Sequence, residues 1–495
     1  MNDFILSLMM LGAVSSADPL PFWTTANQWG LMPEHNGALV LVQASTQYNP
    51  EKTWQWRWGA SIGANLDGGN PAANGSTGTA RSTAFNPLID ELYASLKWKV
   101  FSVDLGMKHD PIEFYGASPA LGSLSTTGGH IVASGNARTM PGYTLHLDPV
   151  PIPLTKRHAW IYGSFGDYKT LDNRFMQDAL VHRTKAYLLV NITRRLDFRL
   201  GLDHYALWAG SNPNVPAMPI SFDNYFRVIT GHSAGSGGSR SDQLNVIGDQ
   251  GGGEVWRFDY RGDGWHATAQ HDIPYNDGSG MGFQNFPDGV NTLAFSWDDK
   301  DRWVSDIVYE FTYTMWQSGT FHDRPTTEEE RQHKDPADQY HYWRAVYGGL
   351  DNDFNNSEYR SGWTHFGRMI GTPLLSPKST KNGTWSSDGI TLGIENNRVK
   401  AHHIGIGGKL WRVAPYRLMV TWSRNYGTYS APYKGKSQIG EPWGTVHETP
   451  LHQVSAAFTG EVPFRHFALT WGIFADRGQL LPDNYGLTLG VRYTL

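Results

Sequence analysis

The sequence contains no cysteine among its 495 residues. Disulfide bonds, thiolate metal sites and cysteine nucleophiles are therefore excluded. An excess of basic residues is also missing, because 41 Lys and Arg stand against 46 Asp and Glu, for a net charge of -5. A nucleic-acid partner is not expected, since such binders present a basic surface.

Long hydrophobic runs are scarce as well. The mean hydropathy is -0.44, and only residues 4–14 form an extended apolar stretch, so the sequence offers no transmembrane helix. Aromatic residues are abundant, at 13%, and so is glycine, with 55 residues. This composition suits a chain of many strands and turns, either a transmembrane β-barrel or a soluble all-β sandwich or propeller.

The C-terminus carries the clearest pattern. Alternate positions from Tyr485 to Leu495 are apolar or aromatic, and the positions between them are glycine, threonine or arginine. This alternation predicts a membrane-spanning β-strand with one lipid face and one lumen face. The end also resembles the C-terminal signal that the outer-membrane barrel assembly machinery reads, with Leu where Phe is usual; the matching residues are Thr488, Gly490, Tyr493 and Leu495.

The same alternation recurs along the chain, most clearly in residues 91–100, 101–108, 197–203, 306–314, 418–422 and 467–473. In the first four of these segments charged residues occupy the second face. Charges are costly against lipid and tolerated beside water, so the pattern predicts a water-filled or polar lumen.

Short connectors predict the topology. We expect eight periplasmic turns, at residues 49–53, 100, 149–157, 194–195, 261–264, 299–301, 412–415 and 462–465. With both termini on the same side, eight turns give a transmembrane antiparallel β-barrel of about 18 strands. This parity requires an opening strand within residues 21–32.

Long polar segments alternate with these turns and are expected outside the cell. They are residues 67–87, 110–142, 206–252, 273–289, 316–397 and 427–450. Strands of about ten residues leave more than half of the chain to such loops. The sequence therefore predicts long extracellular loops with enough mass to occlude the lumen.

The pattern of residues 1–17 predicts a signal peptide. An apolar stretch precedes Ser15 and Ala17, small residues that fit cleavage after Ala17, although the basic first segment of such peptides is missing. The alternative is a short buried helix. Without an internal repeat or linker, residues 18–495 are expected to form one barrel domain.

Motifs that resemble catalytic sites do not fit their usual context. Residues 231–235 match the GxSxG nucleophile elbow around Ser233, but a Gly/Ser-rich segment follows where a helix is needed. His402 and His403 are adjacent, so in a strand they point to opposite faces and do not chelate one metal together. We expect no enzyme, no metal and no cofactor.

Several stretches resemble the capsule assembly protein Wzi family in its Bacteroidetes form: residues 21–23 with 26–27, 134–138, 359–363, 396–399 with 402–403, and 425–429. The resemblance runs from residue 21 to the C-terminus. It implies an occluded eighteen-stranded outer-membrane barrel that acts as a surface lectin and holds capsular or exopolysaccharide, without catalytic residues. Amphipathic helices like those of the enterobacterial relatives are not evident, so we expect outer loops to form the plug.

The loops also carry the residue types that a sugar site needs. Aromatic rings stack on sugar C–H faces, and planar polar groups bond hydroxyls. The candidate polysaccharide-binding residues are Tyr342, Trp343, Arg360, Trp363, Asn425 and Tyr426. The alternative for each aromatic residue is a place in an interfacial girdle or a loop core.

Two other functions remain open at this point: an outer-membrane porin or glycan importer, and a barrel hydrolase with Ser233 as nucleophile. In each case we expect a monomer surrounded by outer-membrane lipid and lipopolysaccharide. The loops would face the exterior of a Gram-negative cell.

Overall fold

A computed structural model describes residues 4–68, 83–109, 119–128, 130–213, 218, 220–234, 242, 246–276, 283–319, 324–325, 343–344, 350–377, 393–437 and 447–495. Eighteen strands form one closed antiparallel sheet. Their bounds are β1 (Phe4–Ser15), β2 (Gly37–Thr46), β3 (Trp54–Asp67), β4 (Ala84–Trp98), β5 (Phe101–Met107), β6 (Pro141–Pro151), β7 (Ala159–Lys169), β8 (Leu180–Asn191), β9 (Leu196–Trp208), β10 (Asp249–Arg261), β11 (Trp265–Asn276), β12 (Gly289–Trp297), β13 (Asp306–Tyr313), β20 (Arg398–Leu410), β21 (Ala414–Gly427), β22 (Leu451–Pro463), β23 (Phe467–Gly478) and β24 (Asn484–Thr494).

Short elements lie in the connections. Three two-stranded hairpins are formed by β14 (Arg324–Pro325) with β15 (Trp343–Arg344), β16 (Thr364–His365) with β17 (Arg368–Met369), and β18 (Ser376–Pro377) with β19 (Ile394–Asn396). Three helices are described: α1 (Phe22–Thr25), α2 (Pro119–Leu124) and α3 (Phe222–Thr230). No helix in the described part of the chain has the length and apolar character to cross a membrane.

The first strand corrects two sequence predictions. β1 pairs with β2 on one side and with β24 on the other, so residues expected in a signal peptide close the barrel. The opening strand expected within residues 21–32 is instead the α1 turn and irregular chain. The inner face of β1 is largely apolar because Met9, Leu11 and Ala13 pack on an apolar cluster inside the lumen, and an apolar run on both faces resembles a signal sequence.

The predicted turns and parity are confirmed. Each of the eight short connectors joins two adjacent strands, and all eight lie at one end of the barrel, here the short-turn end. At the opposite end, the long-connection end, nine segments join the strands: 16–36, 68–83, 108–140, 170–179, 209–248, 277–288, 314–397, 428–450 and 479–483.

The two faces of the wall follow the predicted alternation. Tyr485 and Leu489 of β24, and Leu495 just after it, are each more than 60% exposed on the outer face, whereas Thr488 is buried inside. In β23, Leu469 is exposed and Thr470 lines the lumen. The outer face thus presents an apolar belt for lipid, as expected of a transmembrane barrel.

Helix α3 lies against the outside of this wall, near the long-connection end. Ser221 caps its N-terminus by accepting a hydrogen bond from Asn224 N, and Gly231 ends it in the left-handed region at φ 63°. Tyr225 packs on the outward-facing Trp208 and donates a hydrogen bond to Asp167. Phe222 on this helix is 86% exposed.

Connections from the long-connection end fold into the lumen and form a plug. We use this name for the described parts of residues 16–36, 119–140 and 350–377. The plug and the inner wall share a hydrophobic core that includes Ile131, Val132, Phe354, Tyr359, Trp363, Met369 and Leu375 from the plug and Tyr205, Val290 and Val399 from the strands. The prediction that loops occlude the lumen is confirmed for these residues.

Candidate functional site

Trp363 is at the centre of the plug rather than on the surface. Its side chain is 1% exposed, and its indole stacks on Tyr205 of β9 with ring centroids 3.6 Å apart. Nε1 donates a hydrogen bond to the carbonyl of Val132, 2.7 Å away. Because one face of the ring is covered and the donor is used, Trp363 offers no platform to a sugar, contrary to the sequence prediction.

Arg174 ties a second connection to the same part of the plug. Its guanidinium, 1% exposed, donates to the carbonyls of Thr364 and Gly362 at 3.2 Å each. Burial lowers the pKa of this guanidinium, and the neighbouring Asp172 opposes that effect. A buried charged donor paired with carbonyls fixes its neighbours strongly, so the 170–179 connection and the plug are joined at this point.

Asp288 forms a further joint at the start of β12. Its carboxylate accepts hydrogen bonds from the backbone N–H groups of Trp316 and Gln317, at 2.7 and 2.8 Å. Burial raises the pKa of Asp288 to about 7, although these hydrogen bonds act in the opposite direction. The side chain is fully buried, and we expect the stability of this joint to depend on pH.

Two of the predicted sugar-binding residues, Asn425 and Tyr426, lie in β21 near the long-connection end. Asn425 is 1% exposed; its amide donates to Leu451 O at 3.1 Å and accepts from Asn396 at 2.9 Å. Tyr426 is half-buried, and the ammonium of Lys400 lies 5.8 Å from its ring centre. The side chain of Asn425 therefore joins β21 to Asn396 and Leu451, while Tyr426 lies beside Lys400 at the long-connection end of the wall.

The other predicted residues lie apart from these. Tyr342 falls outside the described residues, and Trp343 is described only as a backbone position in β15, paired with Pro325. Arg360 is exposed, and its guanidinium carbon lies 4.8 Å from the ring centre of Phe175. Arg360 and Trp363 are thus neighbours in the sequence, but Arg360 lies on the surface and Trp363 lies in the core of the plug.

Arg360 lies on a polar surface that sequence reasoning missed. Phe175 N donates to Ser361 Oγ at 2.9 Å, and Asn212 Nδ2 donates to Phe175 O at 2.7 Å, so three connections meet here. We call this the Arg360 surface; its exposed or half-buried members are Asn173, Phe175, Gln177, Asp178, Ser211, Asn212, Ser357 and Arg360. Amide, hydroxyl and guanidinium groups beside an aromatic ring are a combination that suits sugars.

The candidate catalytic motifs fall partly outside the described residues. Ser233 follows helix α3, residues 235–241 after it are not described, and His232 interacts with Thr230 Oγ1 at 2.8 Å. His402 and His403 point to opposite faces as predicted, since His402 stacks on Trp422 outside and His403 contacts the carbonyl of Leu124 inside.

Asp90, Glu91 and His109 are the one group of possible metal ligands in the described part of the chain. A bulge in the β3–β4 register turns both adjacent acids inward. His109 bonds both of them, through Nε2 to Asp90 at 2.6 Å and through its backbone N–H to Glu91 at 2.7 Å, and its ring stacks on Trp29. These hydrogen bonds and the ring stacking explain why the three residues cluster: they connect the wall to Trp29 of the plug.

Comparison with known proteins agrees with this architecture. No protein-family profile matches the chain, and no curated protein matches it either. Among solved structures, Wzi of Escherichia coli, an outer-membrane protein involved in group 1 capsule assembly and described as a carbohydrate-binding β-barrel, is similar over 98% of this chain and 83% of its own, with TM-score 0.52 and 11% identity. OccK9 (OpdG) of Pseudomonas aeruginosa is similar over 100% and 98%, with TM-score 0.46 and 9% identity. The chain therefore has the fold of an eighteen-stranded outer-membrane β-barrel.

Proposed function

We propose that the protein is a non-catalytic, carbohydrate-binding barrel of the outer membrane that holds capsular or exopolysaccharide at the cell surface. The observation that carries this proposal is the combination of a packed plug with the Arg360 surface above it. The plug fills part of the lumen with a hydrophobic core that it shares with the wall, so a large polymer meets its polar groups on the long connections.

The Arg360 surface supports the proposal in its composition. Its side chains carry amide donors and acceptors, the hydroxyls of Ser211 and Ser357, and a guanidinium above an aromatic ring. Together these groups can form hydrogen bonds with the hydroxyls and carboxylates of a polysaccharide. The fold is shared with the E. coli capsule assembly protein, which binds carbohydrate. In this proposal the long connections face the exterior, and the protein functions as a monomer in lipid and lipopolysaccharide after insertion by the barrel assembly machinery.

A second candidate function is the passage of small solutes. It is favoured by the charged inner wall, where Arg183 pairs with Asp203 and Arg257 pairs with Asp259. Planar-bilayer recordings separate the candidates: steady, large openings would favour transport, whereas a silent protein that retains polysaccharide would favour the lectin.

Polysaccharide binding by purified protein tests the proposal directly. Arg360→Ala should weaken affinity by about 1 kcal/mol or more, since hydrogen bonds from a charged donor contribute about 1.5–3 kcal/mol. Arg195→Ala is the matched control, because Arg195 is an exposed arginine in a turn at the short-turn end. Equal loss in both variants, or none in either, would move the binding site away from the Arg360 surface.

A further inference from the structure

A cavity of about 480 Å³ lies inside the lumen on the short-turn side of the plug. Inward-facing residues of β1 and β21–β24 form its wall, and plug residues 23–28 and 122–125 form its roof. Arg417 and Arg492 are its exposed charged members and lie near the short turns, so the cavity opens at that end. None of the sugar-binding residues predicted from the sequence lines it.

The charged groups in the lining do not balance. They are Arg417, Glu461 and Arg492. Glu461 is engaged by Arg492, whose NH2 group lies 2.7 Å from Oε2. Arg417 donates one long hydrogen bond, 3.4 Å, to Ser123 O, and no carboxylate of the described chain lies within ion-pair distance of it. One guanidinium therefore remains available for an anion, and its planar fork suits a carboxylate.

The lining also carries polar atoms without partners. Five of its side chains each hold a buried polar atom that makes no hydrogen bond to any described residue: Trp23 Nε1, Thr24 Oγ1, Asn27 Oδ1, Thr459 Oγ1 and Thr470 Oγ1. Buried polar groups are normally paired, so each such atom requires an explanation. Each of these atoms has almost no accessible surface as the side chains stand, and rotation about χ1 would turn the three threonine hydroxyls toward a ligand with several hydroxyl groups.

Apolar surface completes the site. Trp23 and Phe474 belong to one hydrophobic cluster beneath the plug, together with Met419, and all three line the cavity. Aromatic faces beside hydroxyl-bonding groups fit the C–H faces of a pyranose ring. The cavity volume falls within the range of about 300–1,000 Å³ that is typical of small-molecule sites.

We infer that this cavity binds an anionic, hydroxyl-rich small molecule of the sugar-acid class, with its carboxylate on Arg417 and its hydroxyls toward Thr24, Thr459 and Thr470. The site is separate from the Arg360 surface, because the plug core lies between the two. It also opens at the opposite end of the barrel, so a sugar-acid site here does not depend on the function proposed for the long connections.

Calorimetry on the purified barrel in detergent tests the inference, with glucuronate as the probe. Glucose supplies the hydroxyls without the carboxylate, and acetate supplies the carboxylate without the hydroxyls. Saturable glucuronate binding at least about tenfold tighter than either is expected, because each lacks one set of bonds. Inorganic phosphate that binds as tightly as glucuronate would reduce the cavity to a simple anion site and overturn the inference.

Variants on one strand separate the cavity from general effects. Arg417→Gln should weaken glucuronate binding about tenfold or more, since it removes a charge-assisted bond, and Arg417→Lys should fall between the two. Arg424→Gln is the matched control, because Arg424 lies on the outer face of the same strand over Trp422. Heat-modifiable migration on gels reports folding. Undiminished binding in folded Arg417→Gln protein, or no saturable binding in the unmodified protein, would overturn the inference; loss in Arg360→Ala but not in Arg417→Gln would do so as well.

Discussion

The barrel wall and the plug are stabilised in different ways. The wall is a ladder of backbone hydrogen bonds between neighbouring strands, and its side chains need only alternate between lipid and lumen. The plug has little regular structure, and single side chains bond to distant backbone groups, such as Trp363 to Val132, 231 residues away. Substitutions should therefore act on the wall through membrane insertion and on the plug through individual contacts.

Removing part of the closing strand should have the largest effect. Deletion of Tyr493 to Leu495 eliminates the aromatic anchor of β24 and its pairing with residues 7 and 8 of β1. The barrel then cannot close, and we expect loss of the protein from the outer membrane. Heat-modifiable protein in outer-membrane fractions measures this; a normal amount would show that closure tolerates a shorter β24.

Trp363→Ala should loosen the plug and spare the wall. Replacing a buried Trp by Ala costs about 3–5 kcal/mol, and here it also leaves Val132 O and one face of Tyr205 without their partners. Protease should then cut within residues 350–377 while heat-modifiable migration stays normal. Failure of the variant to assemble would show that the wall does not form independently of the plug.

The lipid face of the wall is probed by two neighbouring residues. Leu469→Arg places a charge against lipid, at a cost of about 2–4 kcal/mol at the midplane and less toward the turn end where Leu469 lies, whereas Thr470→Arg points into the cavity and should assemble normally. Folding yield into lipid vesicles measures the difference. Similar yields for the two variants would contradict the register of β23.

A smaller effect is expected from pH at the Asp288 joint. Its pKa is raised in the folded protein to about 7, so the folded state retains a proton that the unfolded segment loses above about pH 4. Local stability should be highest below pH 4, should fall as pH rises toward 7 by at most about 1.4 kcal/mol per unit, and should then stay constant. Hydrogen exchange of residues 315–319 at pH 5 and 8 measures this, and Asp288→Asn should abolish the difference.

The wall could be predicted from sequence because its pattern is local. Alternation in β23 and β24 and the short turns determine strand, face and parity without knowledge of any distant residue. β1 was the exception, since Met9 and Leu11 face the plug and mask the alternation. The prediction of a glycan site failed for Trp363 because an aromatic residue in a loop has the same sequence signal whether it meets a sugar or Tyr205.

The seam between β1 and β24 also sets an order of events during folding. Asn484 at the start of β24 donates to the carbonyls of Ala17 and Pro19, 467 and 465 residues away, where the chain leaves β1 and enters the plug. Contacts of such separation form late, because the loop they close is long. These two hydrogen bonds can form only once β24 is in place, so the first plug segment is fastened to the wall at the same seam where the barrel closes.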